Sequence, residues 1–479
     1  MMCCVRCKPL YWVAAVALLV STSVHASPYP EDHFGQHLQA IMAGIANPTD
    51  ENVSNVVQQH MSEQMQALPM AAHQQFFQQM SAELGDFEVG EVQDQGPGSY
   101  YVDVKRNGDE PVRLLVEFDP NPPYGMIGIQ PIPFIDMTAL NIDDPAALDR
   151  ALQSLAHGNQ FSGALYIEDA GKTAFEGAYG DANKRYGVAN TKRTRFPVGS
   201  ITKAFTRLAV LLLHHRGQLE LTDTIGNYIP ELPAAMGEHI TVWHLLRHQS
   251  GLTDYFGHPQ YERDKRSYLD VTDYIPVIAD LELEFAPGSA RRYSNAGFVL
   301  LGVVIQRASG INYHDYIRQQ VFAPAGMDDA DFEQLTLVGK PYAVGYTNLS
   351  PLGPDQGFVR ENTDILPGIG SPAGTAYCTI QDLLRFDDAL WHGKVFPETV
   401  VKLFHSIEMA ETIEAALAAD WPAAFSAAGG QPGENALIIS VPAKGRRVVV
   451  LSNYDERLAE DIGVHLYQQL KKQDIHTQL

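Results

Sequence analysis

Apolar residues in the first third of the chain recur at two different spacings. Between residues 34 and 84 they are three or four positions apart, as in Val53, Val56 and Val57, which predicts two or three amphipathic helices. Runs of alternating apolar and polar residues follow at 87–92, 100–106, 112–118 and 125–131. Alternation is typical of strands with one buried face, so these runs predict an antiparallel meander. Residues 34–133 are therefore expected to form a small α+β domain.

A second domain is predicted over residues 145–479, because strand patterns occur near both of its ends. Residues 161–168 and 172–179 form one predicted hairpin, residues 435–441 and 446–451 form another, and a helix is expected from about 457 to 471. Helical spacing dominates between the hairpins. Strands from both ends of the domain are expected to pair in one sheet covered by helices, again an α+β fold. Residues 136–144 are predicted to link the two domains.

A helix predicted to begin near residue 200 carries the first candidate chemistry. Its apolar residues recur every three or four positions up to Gly217, a typical helix end: Ile201, Phe205, Leu208, Ala209, Leu211 and Leu212. Ser200 would lie at the first turn, and Lys203 on the same face one turn later. Unpaired N–H groups at a helix start favour negative charge, and a desolvated lysine amine can take a proton from serine. The alternative is an N-capping serine beside a solvated lysine.

A second candidate lies in the loop over residues 287–295, just before an apolar helix predicted for 296–309. Tyr293 and Asn295 would project from this loop. A phenol has a reference pKa of about 10, so Tyr293 would need a nearby ammonium such as that of Lys203 to act as a base near neutrality. The alternative is a helix-capping Asn295 beside a packing tyrosine. Tyr346 and Asn348 repeat the same spacing, so the pattern alone is not decisive.

The first 26 residues have the pattern of a secretory signal. Arg6 and Lys8 precede an apolar run over residues 11–20, and small residues occupy the positions that a signal peptidase reads, at 24 and 26. Cleavage would leave Cys378 as the only cysteine and would direct the protein to the periplasm or the medium. An uncleaved anchor is the alternative, although the run is about half the ~20 residues that a membrane span needs.

The charge of the chain argues against polyanionic partners. The 479 residues carry a formal net charge of −23, which becomes −25 once the segment with Arg6 and Lys8 is removed. Nucleic acid and anionic membrane are therefore not expected partners, and no stable membrane span is expected after cleavage. A small-molecule or peptide-like acyl substrate is the partner that the candidate residues predict.

Several motifs together resemble one known family. Residues 196–203, 244–252, 293–295 and 370–386 occur in the order and spacing of the class C β-lactamase-related serine hydrolases, which include β-lactamases, penicillin-binding carboxypeptidases, D-amino-acid peptidases and esterases. The resemblance covers about residues 145–479. It implies a β-lactamase-like antiparallel sheet with a helical subdomain, a nucleophile at Ser200, a lysine partner at Lys203 and a general base and acid at Tyr293. It leaves Tyr346 as a framework residue. The domain over 34–133 loosely resembles the NTF2-like accessory domains found ahead of some secreted hydrolases.

One family element departs from the usual pattern. Edge strands of this family usually carry Lys or His, one further residue and then Gly, whereas Ala427 stands where the cation is expected. The resemblance implies that the N–H groups of Gly430 and Ser200 form the oxyanion hole. The Asn295 amide is expected, from its chemistry, to hold a substrate carbonyl or to orient the lysine. Without the cation, a penicillin carboxylate loses a charge-assisted contact worth about 1.5 to 3 kcal/mol. An esterase or peptidase is therefore favoured over a β-lactamase or D,D-peptidase.

Two alternatives concern the class of site. A non-catalytic protein that binds cell-wall fragments would explain Ala427, although it would not require Ser200, Lys203, Tyr293 and Asn295 together. His244 and His248 have the spacing of half a zinc site, but a leucine occupies the place of the catalytic glutamate that metalloproteases carry. The serine mechanism needs no metal or organic cofactor, so none is expected.

Overall fold

A computed structural model of the protein describes residues 28–96, 98–106, 111–119, 123–132, 137–334, 341–347, 349–350, 353–354, 360–391, 395–418, 424–455 and 457–476. The predicted signal, residues 1–26, lies outside the described residues. Contacts divide the chain into two compact units that meet between residues 135 and 136. The domains expected over 34–133 and 145–479 lie on either side of this division.

The first unit contains the predicted helices and meander. Its helices are α1 His33–Ala46, α2 Asp50–His60, α3 Glu63–Gln66 and α4 Met70–Leu84, and its strands are β1 Phe87–Gly96, β2 Ser99–Arg106, β3 Val112–Phe118 and β4 Met126–Ile132. The strands pair antiparallel in the order β1-β2-β3-β4. Residues such as Leu38, Val53, Phe77 and Val102 join the helices and one sheet face in a common core. The small α+β fold is confirmed.

The second unit is built on a five-stranded antiparallel sheet. The strands of the whole unit, including short pairs outside this sheet, are β5 Gly163–Asp169, β6 Lys172–Tyr179, β7 Asp181–Asn183, β8 Val188–Ala189, β9 Phe196–Pro197, β10 Tyr346–Thr347, β11 Leu349–Ser350, β12 Gly353–Pro354, β13 Arg360–Glu361, β14 Tyr377–Cys378, β15 Phe425–Gln431, β16 Glu434–Val441 and β17 Arg446–Ser452. The main sheet has the order β15-β16-β17-β5-β6. Strands from both ends of the unit thus pair directly, as predicted, and β15 is the edge strand.

Helices pack on the sheet and form the large middle of the second unit. They are α5 Pro145–His157, α6 Thr202–His215, α7 Ala234–Gly237, α8 Val242–Leu246, α9 Pro259–Asp264, α10 Ile275–Ala279, α11 Asn295–Ser309, α12 Tyr313–Ile317, α13 Ala323–Ala325, α14 Ile380–Trp391, α15 Glu398–Ser406, α16 Ile413–Ala418 and α17 Leu458–His476. The apolar stripe predicted for α6 is buried, with Phe205, Leu208 and Leu211 all fully enclosed. No helix among the described residues is long and apolar enough to cross a membrane.

Two local features refine the sequence predictions. Residues 137–142 do not form a bare linker, because Leu140 and Ile142 are buried in a core cluster of the second unit. The start of α14 is closed by a reciprocal cap: the Asp382 N–H donates to Thr379 Oγ1, and the Thr379 N–H donates to Asp382 Oδ2. Cys378, just before this cap, is fully buried and free.

Candidate active site

Ser200 lies on a tight turn between a short strand and a long helix. β9 pairs with β14, a 3₁₀ turn spans Gly199–Ile201, and α6 begins at Thr202. Ser200 therefore lies two residues before α6 begins, in the 3₁₀ turn that leads into the helix rather than in the first turn of the helix itself. The buried face of α6 fixes the turn against the core, which gives the hydroxyl a defined position.

Glycines allow the edge strand to approach this turn closely. A Cβ atom at Gly429 on β15 would lie 2.2 Å from the Val198 carbonyl oxygen and 2.5 Å from the Ser200 nitrogen. Gly199 has a φ of 47°, and a Cβ there would lie 2.8 Å from the Gly430 nitrogen. Side chains at either position would force the two segments apart. The main chains around Ser200 and Gly430, the two expected oxyanion donors, are therefore in direct contact.

Lys203 contacts the nucleophile and is almost fully buried. Its Nζ atom lies 3.0 Å from Ser200 Oγ, 2.8 Å from Asn295 Oδ1 and 2.5 Å from the Ala373 carbonyl oxygen, and only 5% of the residue is exposed. Burial lowers the pKa of Lys203 to about 7, and the carboxylate of Asp254 partly opposes this shift. A large fraction of the amine is therefore neutral near pH 7, as a proton acceptor must be.

Tyr293 contacts the nucleophile from the other side. Its hydroxyl lies 2.7 Å from Ser200 Oγ, and the Lys203 amine lies 4.8 Å from the centre of its ring. Burial of the hydroxyl raises the pKa of Tyr293 to about 12, although 54% of the residue as a whole is exposed. The phenol therefore favours its protonated form near neutrality, and the role of Tyr293 as general base and acid stays a prediction.

His248 supports Tyr293 by stacking. The two ring centres lie 4.7 Å apart with an angle of 28° between the planes, and His248 Nδ1 accepts a hydrogen bond from the Ser294 N–H at 3.2 Å. Burial, followed by the charges of Lys203 and Arg207, lowers the pKa of His248 to about 3. The imidazole is therefore neutral and acts as a flat support for the tyrosine.

Asn295 connects Lys203 to a carboxylate. Its Oδ1 atom accepts from Lys203, and its Nδ2 atom donates to Asp254 Oδ2 at 2.7 Å. The helix cap is supplied by the neighbouring Ser294, whose Oγ accepts from the Gly297 N–H at 3.1 Å. Asn295 is therefore not the N-cap that the alternative reading required, and its amide is available to the site.

The edge strand contributes backbone but no cation. Ala427 is partly buried on β15, packed against the main core, and Gly429 and Gln431 follow on the same face because side chains alternate along a strand. An adjacent cleft of about 160 Å³ is lined by Gly199, Ser200, Tyr255, Phe256, Tyr261, Tyr293, Asn295, Pro367, Ser371, Ala373, Gly374, Thr375, Gly430 and Gln431. None of these described lining residues carries a formal charge near neutrality.

The structure brings together all five residues selected from the sequence and adds others to the site. Ser200, Lys203, Tyr293, Asn295 and Gly430 lie in or directly behind the cleft. Sequence reasoning missed the aromatic wall, the Ala373 carbonyl, Asp254 and Gln431. Asp254 comes two residues after the 244–252 motif, and Gln431 directly follows Gly430. Their positions next to family motifs were the signal that could have identified them as site residues.

The remaining candidate residues have other surroundings. His244 accepts a hydrogen bond from the Thr241 N–H in the cap of α8, whereas His248 stacks on Tyr293, so the two rings have different partners. Tyr346 is buried and its hydroxyl accepts the Lys184 N–H at 2.7 Å, as a framework residue would. Asn348 lies outside the described residues.

The Ser200 hydroxyl is within hydrogen-bond distance of both a buried lysine and a tyrosine, at the edge of an antiparallel sheet covered by helices. This arrangement is that of a serine hydrolase. The family follows from comparison with known proteins. A family model described as Beta-lactamase matches residues 148–470, well over half of the chain. The chain belongs to this family.

Individual known proteins are also similar to this chain in sequence or in fold. Penicillin-binding protein 4* of Bacillus subtilis (strain 168) is 28% identical over 327 residues, which cover 64% of this chain and 72% of that protein. A penicillin-binding protein from Bacillus halodurans has a similar fold, with a TM-score of 0.56 and 24% identity over 66% of this chain and 99% of that one. The D-amino acid amidase from Ochrobactrum anthropi SV3 aligns with a TM-score of 0.54 and 20% identity, over 68% of this chain and 99% of that one.

Proposed function

We propose that this protein is an exported serine hydrolase that cleaves an ester or amide bond through an acyl-enzyme on Ser200. The observation that carries the proposal is the set of contacts at one hydroxyl: Ser200 Oγ lies 3.0 Å from the Lys203 amine and 2.7 Å from the Tyr293 hydroxyl. A hydroxyl becomes an effective nucleophile when a neighbouring base takes its proton as it attacks.

The contacts support a division of labour between the two partners. Neutral Lys203 takes the proton of Ser200 while Oγ bonds to the substrate carbonyl carbon, and the Ser200 and Gly430 N–H groups stabilise the resulting oxyanion. Tyr293, which carries its proton, donates it to the leaving group as the bond to that group breaks, and the Lys203 ammonium then returns a proton to the phenolate. Water next attacks the acyl-enzyme, releases the acid and restores Ser200.

The preferred substrate is a neutral ester or amide. The cleft wall has no charged side chain among the described lining residues, and Ala427 supplies no partner for a carboxylate. Tyr255, Phe256 and Tyr261 offer apolar surface to an acyl or side-chain group. The similarity to a D-amino acid amidase supports amides in particular, whereas a true β-lactamase or D,D-peptidase activity is the second candidate within the same family.

Export is part of the proposal because of the sequence of residues 1–26. Basic residues, an apolar run of limited length and a small-residue cleavage site are typical of a secretory signal. The expected location is the periplasm or the medium. N-terminal sequencing of the protein recovered from cells would test this directly, since processing should leave residue 27 as the first residue.

The catalytic proposal is tested by intact-mass spectrometry of the mature protein and its Ser200→Ala variant. Each is exposed to a fluorophosphonate and, separately, to penicillin. We expect one fluorophosphonate adduct on the wild type, none on the variant, and slow or no labelling by penicillin. Rapid penicillin labelling would favour the β-lactamase or D,D-peptidase alternative.

A folded wild type that forms no adduct with either reagent would contradict the hydrolase proposal. Circular dichroism and thermal melts of both proteins provide the control for folding. If the folded protein forms no adduct, it would be a binding protein that keeps the family fold.

A further inference from the structure

Glu434 is a fully buried carboxyl group at the turn that joins β15 to β16. It faces Gln431 across a two-residue turn, and its exposed fraction is 0%. The Gln431 Nε2 atom donates to Glu434 Oε1 at 2.7 Å and to Thr375 Oγ1 at 3.1 Å. The second oxygen, Oε2, is buried and has no hydrogen-bond partner among the described residues. The proposed mechanism assigns no role to this carboxyl group.

The two partners of this network both line the active-site cleft. Gln431 directly follows Gly430, and the Thr375 N–H donates to the Gly199 carbonyl at 3.3 Å, beside the nucleophile. Thr375 has a φ of 70°, which is unfavourable for a β-branched residue and persists only where the surroundings enforce it. The network therefore ties the edge strand to a strained segment on the opposite side of the nucleophile turn.

The surroundings of Glu434 favour its protonated form. Burial raises the pKa of Glu434 to about 8, and the neighbouring polar groups of Gln431 and Thr375 only partly oppose this shift. Neither of these partners carries a charge. The titratable groups nearby are Tyr377, whose own pKa Glu434 helps to raise, the Arg195 and Glu333 pair that acts on the same tyrosine, Asp455, which accepts from the Gly433 N–H at 2.8 Å, and Glu460 behind Asn435.

We propose that Glu434 is a positioning residue whose neutral carboxyl group holds Gln431 in its hydrogen bond to Thr375 and so holds the oxyanion strand against the nucleophile turn. Ionisation would leave a buried carboxylate with one unpartnered oxygen, a costly state that relaxes by loosening the network. Catalysis on Ser200 would then decline at alkaline pH even though Lys203 is fully deprotonated there. This inference rests on the proposed hydrolase function.

The test compares the wild type with Glu434→Gln, which mimics the protonated acid in shape and charge. The rate of fluorophosphonate labelling of Ser200 is measured from about pH 6 to about pH 10. The wild-type rate should rise through the pKa of Lys203 and then fall by up to about tenfold for each pH unit above the pKa of Glu434. The variant should show the same rise and then a plateau.

Glu460→Gln is the matched control. Glu460 is another carboxyl with a raised pKa, but it is only partly buried, accepts a hydrogen bond from the Asn435 side chain near the start of α17 and does not line the cleft. Its variant should keep the wild-type alkaline decline. An alkaline decline in Glu434→Gln that matches the wild type would overturn the inference, whereas absence of labelling in the wild type at every pH would reject the hydrolase function and the positioning role with it.

Thermal melts give a readout that does not depend on activity. The folded protein binds the Glu434 proton more tightly than the unfolded chain, so this group lowers the free energy of unfolding as pH rises from its ordinary pKa of 4.5 to about 8. The Tm advantage of Glu434→Gln should therefore grow over this interval, and a constant difference would contradict a neutral buried acid. If this variant does not fold, Gln431→Met removes the hydrogen bonds to Glu434 and Thr375 instead. Labelling of Gln431→Met at the wild-type rate would overturn the proposal.

Discussion

Asp254 accepts a hydrogen bond of 2.7 Å from the side chain of Asn295, and it is the carboxylate that acts electrostatically on Lys203. The Asn295 amide is hydrogen-bonded to both groups, so Asp254 fixes the orientation of the amide that contacts Lys203. Asp254 is exposed, however, and solvent weakens its effect on the buried amine. The pKa of Lys203, and so its protonation state, is therefore set mainly by burial, and Asp254 raises this pKa slightly.

Removing the Asp254 charge should move the acid limb of the pH profile. The catalytic rate is expected to rise with pH through about 7, because Lys203 must lose its proton to act as a base. In Asp254→Asn the ammonium loses a favourable charge, so its pKa falls and the limb moves to lower pH by about half a unit. Asp315→Asn, which removes a carboxylate paired with Arg318 instead, should leave the limb in place. A shift to higher pH in Asp254→Asn would contradict this assignment.

Replacing Lys203 by another cation should not preserve activity. Lys203→Arg keeps a positive charge, but a guanidinium stays protonated and cannot accept the Ser200 proton. We expect kcat/KM toward a p-nitrophenyl ester to fall between about 100-fold and about 10,000-fold, the range typical of a lost general base. Activity near the wild-type value would mean that the lysine supplies charge rather than basicity.

A single methyl group on the edge strand should disrupt the nucleophile turn. In Gly429→Ala the new carbon would lie 2.2 Å from the Val198 carbonyl oxygen, so the strand or the turn must move. A displacement of about 1 Å near the reacting atoms costs on the order of 100-fold in rate, and overpacking lowers the free energy of unfolding by about 1 to 3 kcal/mol. Gly128→Ala is the control, since a methyl there meets only the Glu117 carboxylate at 3.7 Å. Equal behaviour of the two variants in kinetics and thermal melts would refute the packing argument.

Restoring a cation at position 427 should admit anionic substrates. Ala427→Lys would supply a charge-assisted partner for a penicillin carboxylate, which is expected to raise the rate of acylation by about tenfold to about a hundredfold. Ala428→Lys adds the same charge on the opposite face of the strand, where the side chain is exposed, and should change the rate little. Penicillin labelling followed by mass spectrometry distinguishes the two, and an equal gain in both variants would indicate a nonspecific charge effect.

Much of the fold followed from local patterns. Alternation in the first unit predicted the four-stranded meander, and the spacing of apolar residues predicted α6 and α11 almost to their ends. The burial of Leu140 and Ile142 was not predictable, because a short apolar pair in a polar stretch has no period from which to infer a partner. The resemblance of the first unit to NTF2-like domains stays a prediction.

By itself the sequence determined which residue types were available and the approximate bounds of the elements that have a clear hydrophobic period. Ser200 and Lys203 are three positions apart on one segment, so local geometry alone brings them within reach. Tertiary structure decided the rest, because Tyr293, Ala373 and Gly429 come from distant segments whose approach depends on packing of the whole second unit. It also decided protonation: burial sets the pKa values of Lys203, Tyr293 and Glu434, and burial is a property of the folded chain that no motif records.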